Sequence, residues 1–163
     1  MTSIEFSTGI DLTELQAALA RGVDHGGNPI EPFVDTDGGW PLRCCLNNSA
    51  PHDRIAIIAW SPFPWTGAYA EVGPIVVHAD GCAGSDPTVD LPAEFNERAM
   101  TLRPYGPDRR IAYHRVRHVD ADESIEHAVS AVLEADDVDF VHGRNVTGGC
   151  YAFTARRVEL EDR

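Results

Sequence analysis

The sequence predicts an α+β fold: a mainly antiparallel sheet with two principal helices packed on it, in a single domain spanning residues 1–163. Three observations predict it. Short runs rich in Val and Ile recur through the middle and end of the chain, as strands do. Two other segments carry apolar residues at helical spacing behind capping signals. The links between successive strand runs are of hairpin rather than crossover length, which favours antiparallel pairing.

Taken in order, Ile4 to Phe6 reads as a short opening strand. Asp11 follows as a helix cap, with Glu14 three residues on completing a capping box. Leu12, Leu15, Ala18 and Leu19 form the apolar stripe of that helix, and Gly22 ends it. Residues 24–39 are rich in Gly, Pro and Asp and read as a long irregular connection. Arg54 to Trp60 and Pro74 to His78 are nearly continuous apolar runs, expected as central strands buried on both faces. Between them lies a proline-stiffened aromatic loop.

Leu91 to Met100 is expected to hold a short helix with Pro92 at its first position. Thr101 to Tyr105 and Arg110 to Val116 then suggest a hairpin around Gly106-Pro-Asp108. Asp120-Ala-Asp-Glu123 is a second capping box, opening a helix with the face Ile125, Val129, Val132 and Leu133 and ending at Asp136-Asp137. Val138 to Val141 and Tyr151 to Val158 form the last hairpin, with Gly148-Gly149 in its connection.

Composition narrows function mainly by exclusion. At 43% hydrophobic and 24% charged, the chain has the balance of a soluble globular protein. Its net charge of −13 disfavours nucleic acid and anionic membrane as partners, because both repel a polyanion. All 13 basic residues are arginine, so chemistry that needs a lysine amine (Schiff bases, pyridoxal phosphate anchoring, a P-loop) is ruled out. The glycine fingerprint of dinucleotide sites, the nucleophile elbow and the zincin motif are missing as well. Met1-Thr-Ser-Ile-Glu-Phe lacks the basic start and apolar run of a signal peptide, and no stretch approaches a membrane span, so a cytoplasmic address is expected. In a reducing compartment the four cysteines are thiols or metal ligands rather than disulfides.

Those cysteines fall beside histidines. His78-x-x-x-Cys82 has spacing a zinc site uses, with one ligand at a strand end and one in the following turn. Cys45, with Cys44 beside it, is the natural second contributor, and Cys150 or His142 is a candidate to complete the shell. The same residue types suit a thiol enzyme. In the terminal hairpin, Cys150 has His142 and Arg144 nearby to activate it and Asn145 to orient a histidine or donate to an oxyanion. The alternative for each is structural: small buried thiols, a strand residue, an asparagine that suits a turn. Trp60, Phe63, Trp65 and Tyr69 crowd into ten residues, either as the wall of a small-molecule pocket or as a satellite core, and Arg43 precedes the thiol pair. His114 and His118 flank Arg115 and Arg117, a basic stripe suited to an anionic group or to pairing with nearby Asp and Glu.

Several spaced motifs together carry a family resemblance. Asp37-Gly-Gly-Trp-Pro-Leu-Arg-Cys-Cys-Leu, Ser61-Pro-Phe with Tyr69, Gly73-Pro-Ile-Val-Val-His-Ala-Asp-Gly-Cys82, Arg103-Pro-Tyr and Val141-His-Gly-Arg-Asn-Val-Thr-Gly-Gly-Cys-Tyr occur in order over residues 38–157. In these the chain resembles the family catalogued as domain of unknown function 1203, whose activity is unassigned. It departs from the family pattern at Leu42, where that pattern has a cysteine. The resemblance implies members without the equivalents of Cys45, His78 and Cys82 that keep the terminal His/Asn/Cys set. The expectation is therefore either an enzyme acting on a small polar molecule through Cys150, His142 and Asn145, or a non-catalytic ligand-binding module stapled by zinc.

Overall fold

Strand-forming segments dominate the computed structural model, which describes residues 2–160. The fold is α+β, with two antiparallel sheets. By chain contacts it divides into two compact units, one made of the chain up to Ser7 and from Asp86 onward, the other of Thr8–Ser85.

The first unit is a five-stranded sheet in the order β1-β8-β7-β5-β6. Its strands are β1 (Thr2–Ser7), β5 (Met100–Tyr105), β6 (Arg117–Val119), β7 (Phe140–Asn145) and β8 (Tyr151–Glu159). β7 from Phe140 to Arg144 and β8 from Tyr151 to Ala155 are buried on both faces, polar residues included. Ile125, Ala128, Val129, Val132 and Leu133 form the buried stripe of α2 (Ile125–Leu133), which packs on β5, β7 and β8. Phe153 lies at the centre of an aromatic cluster, edge-on to Phe6 and to Phe95 from the 3₁₀ turn Ala93–Glu97. The register places Phe153 opposite Gly143, where a Cβ would come within 2.2 Å of the ring. The glycine is what lets that ring lie flat across β7. Beyond β1, Phe6 and Thr88 exchange backbone hydrogen bonds at 2.7 and 2.9 Å.

Two local expectations shift in this unit. Glu123 accepts from the backbone N–H of Asp120 and so closes a turn, while the helix itself starts four residues later, where Ser124 accepts from His127 N. A hydroxyl one residue before the first buried apolar position caps better than an aspartate a full turn upstream. The strand returning from Gly106 is β6 rather than residues 110–116, because Tyr113–Arg115 forms a 3₁₀ turn. Its basic residues are paired: Arg115 and His114 with Asp137, Arg117 with Glu123, and His118 with Asp120.

The second unit holds α1 (Leu12–Arg21) and a three-stranded sheet, β2 (Phe33–Asp35), β3 (Asp53–Trp60) and β4 (Gly73–His78), with β3 central. Asp11 caps α1 by accepting from Thr13 and Glu14 N–H, and Gly22 closes it in the left-handed conformation. β2 was not expected within the glycine-rich connection. It forms because Val34 and its neighbours pair with β3, and Asp35 then accepts from Ser49 Oγ at 2.6 Å. β3 and β4 are not buried on both faces: Ile57 is 49% exposed, and β4 is an edge strand of alternating burial. Among the described residues, no helix is long and apolar enough to cross a membrane.

Candidate metal centre

The residues from Trp40 to Ser49 fold into a closed loop beside β4. Gly39 N donates to Ser49 O, Ser49 N to Trp40 O, and Leu42 N to Asn47 O. Gly38 opens the loop with φ +76°, and a Cβ there would meet Pro51 N at 2.9 Å and Ser49 O at 3.0 Å. Arg43 N donates to Val76 O at 2.8 Å, fastening the loop tip to β4. The tip carries Cys44 and Cys45, and Leu46 follows at φ +60° as the chain reverses.

That fastening brings the thiols to the end of β4. Donor atoms of Cys44, Cys45, His78 and Cys82 all lie within 4.8 Å of one another. Cys44 Sγ is 3.7 Å from His78 Nδ1. A sulfur and an imidazole nitrogen bound to one tetrahedral zinc, at about 2.3 and 2.1 Å, sit about 3.6 Å apart. Each sulfur also accepts a backbone N–H: Cys44 from His78 and Cys82 from Gly84, both at 3.4 Å, and Cys45 from Asn47. Such bonds stabilise thiolate over thiol.

The electrostatics agree with a site short of positive charge. The Cys45 thiol is pulled down to about 5, first by the Cys44 side chain and then by Asn47 N–H, Cys82 and His78, against the opposing effect of burial. Cys44 is pushed up by the same contact with Cys45 and by burial, and Cys82 is raised mainly by burial. Three sulfurs this close do not all ionise without a cation among them. On the far side of the imidazole, His78 Nε2 lies 3.2 Å from Asp53 Oδ2, leaving Nδ1 directed at the thiols. The carboxyl of Asp53 is held below the usual range by Ala50 N–H and by His78.

The terminal hairpin offers different chemistry. His142 is fully buried among the rings of Tyr105, Phe140 and Tyr151, with centroids 5.1, 5.1 and 4.8 Å away. Burial, then Arg144, Arg156 and Arg103, depress its pKa well below the ordinary value. Asn145 builds the turn, its N–H donating to Cys150 O and its carbonyl accepting from Gly149 N. Arg144 is buried and donates to Gly149 O at 3.2 Å. Cys150 is half-buried and sits opposite Asn145, three residues along β7 from His142, or about 10 Å of strand.

Of the expected pocket residues, Phe63 and Trp65 line a concavity of about 480 Å³ with Glu14 and His25. Trp60 is buried with the ring of His25 stacked on it, Tyr69 is half-buried in the following turn, and Arg43 belongs to the thiol loop.

The family model described as Protein of unknown function (DUF1203) matches residues 39–157, most of the chain. The chain belongs to this family. No curated protein and no solved structure matches it. The matched part of this DUF1203 member includes all four residues of the Cys/His cluster and the terminal hairpin as far as Arg157, but it begins after α1.

Sequence reasoning named Cys44 only as the neighbour of Cys45 and passed over two other participants. The reversal at Leu46 brings both sulfurs into the cluster. Asp53 was legible only through pairing: Ile55 faces His78 across β3 and β4, which makes Asp53 a same-face diagonal neighbour. His25 has no sequence signal, because its partners Glu14 and Ser61 come from 11 residues before it and 36 after.

Proposed function

We propose that this protein is a zinc-stapled, non-catalytic binding module, with Cys44, Cys45, His78 and Cys82 holding one ion. The observation that carries this is the convergence of three sulfurs and His78 Nδ1 within 4.8 Å, each sulfur already accepting a backbone N–H. Three thiolates and an imidazole are a soft, tetrahedral donor set suited to zinc. Four protein ligands fill the shell and leave no position for water or substrate, which is the arrangement of a structural site. Asp53 would fix the His78 tautomer from the second shell. The ion would join the Trp40–Ser49 loop to the end of β4.

A thiol enzyme centred on Cys150 receives less support. A base must come within about 3 Å of the proton it takes, directly or through one water. His142 is buried and displaced along the strand from Cys150.

Zinc content by mass spectrometry, on protein purified without chelator or affinity metal, tests the proposal together with a native thiol titration. About one zinc per chain, about three protected thiols, and loss of both with much of the folding stability in Cys45→Ser are expected. Failure to bind zinc after reduction and reconstitution, with all four thiols open to reagent, would overturn it.

A further inference from the structure

The concavity beside α1 has a composition of its own. Glu14, His25, Ser61, Phe63, Trp65 and Val72 make up most of its lining. Asp24 is buried at the start of the loop that carries His25. Asp24 accepts from the N–H groups of Gly26 and Asn28 at 2.9 Å and of Ala59 at 2.8 Å, fixing that loop to β3. His25 N in turn donates to Ala59 O, and the imidazole lies flat on Trp60 at 3.6 Å with planes 16° apart.

The imidazole is committed at both nitrogens. Nδ1 accepts from Ser61 N–H at 3.0 Å, so the proton sits on Nε2, which faces Glu14 Oε1 at 2.8 Å. A ring held in this way serves to position the carboxylate. Among the described residues that line the concavity, Glu14 carries the fixed charge, and none is an arginine. Beside the carboxylate stand Phe63 and Trp65, tilted at 40° with centroids 5.1 Å apart. Aromatic faces next to a single carboxylate attract cations and repel anions, and a net charge of −13 adds to that bias.

We infer that this concavity is a binding site for a small organic cation, an ammonium or guanidinium group on a short apolar body. Glu14 supplies the counter-charge, Phe63 and Trp65 the ring faces, and His25 positions Glu14. About 480 Å³ matches a small molecule rather than a polymer segment. Glu14 and His25 precede residue 39 and so lie outside the part that the family model covers, while Phe63 and Trp65 lie inside it. The inference is independent of the metal.

The test is calorimetric titration of the protein as purified with choline, n-butylammonium and n-butylguanidinium, each compared with uncharged 3,3-dimethylbutan-1-ol. At least one cation is expected to bind about tenfold or more tightly than the alcohol. Glu14→Gln, which still accepts from His25, should erase that preference while leaving the weak alcohol binding unchanged. Trp65→Ala should weaken the cation in the same assay and serves as the second variant if Glu14→Gln does not fold. Equal affinity for cation and alcohol, no binding of any cation up to about 10 mM, or a cation preference that survives in the folded Glu14→Gln protein would overturn the inference.

Discussion

Acidifying the protein should expose the state of His142. In the folded chain its ring is enclosed by Tyr105, Phe140 and Tyr151, and burial together with Arg144, Arg156 and Arg103 keeps its pKa well below 6.5. In the unfolded chain it titrates near 6.5. Between those two values the unfolded state binds the extra proton, so stability rises with pH and falls as the pH is lowered through 6.5. Above 6.5 the residue makes no pH-dependent contribution. Each pH unit between 6.5 and the folded value costs up to about 1.4 kcal/mol through this one side chain. Urea unfolding at several pH values, on wild type and His142→Gln, isolates that part. The other six histidines and any metal titrate alike in both proteins and cancel in the difference. The variant's own stability does not matter, only the slope. Parallel curves for the two proteins between pH 6.5 and 5.0 would refute the reasoning, since His142 would then accept its proton while folded.

Two further outcomes follow from particular contacts. Asp53→Asn should weaken zinc affinity about 10- to 100-fold in competition with a chromophoric chelator while leaving the fold unchanged, because the amide oxygen still accepts from Ala50 N–H while the carboxylate partner of His78 Nε2 is lost; unchanged affinity would remove Asp53 from the site. Gly143→Ala places a methyl 2.2 Å from the Phe153 ring and should cost about 1–3 kcal/mol, read as a lower thermal midpoint. A midpoint equal to wild type would mean that the aromatic cluster yields freely.

Local signals in the sequence held where one segment decides the outcome. Asp11 and Gly22 bound α1 because a cap and a left-handed stop act within a turn of chain. The terminal hairpin is equally local: Phe140–Asn145 and Tyr151–Glu159 pair across a short glycine link. What sequence could not show depends on pairing partners far along the chain. β2 exists only because β3 offers it an edge, and α2 starts at Ile125 because the Ser124 hydroxyl caps it by accepting from His127 N–H. The candidate metal site was legible in His78, Cys82 and Cys45. Its fourth donor, Cys44, became visible only with the backbone reversal at Leu46. Glu14, readable as half of a capping box, turns its carboxylate to His25 instead.

The bridge between Phe6 and Thr88 has a consequence for how the chain is put together. Residue 7 leaves the five-stranded sheet and residue 86 returns to it at points stitched by two backbone hydrogen bonds, so Thr8–Ser85 is an insert with its two ends at one doorway. β1 is synthesised first, yet its partner β8 is made last, in a register running from Thr2 with Glu159 to Ser7 with Thr154. The host sheet therefore waits for nearly the whole chain, while the insert, which carries both the Cys/His cluster and the concavity beside α1, has all its residues in hand by Ser85. On the ribosome, Thr8–Ser85 is complete before the five-stranded sheet can close.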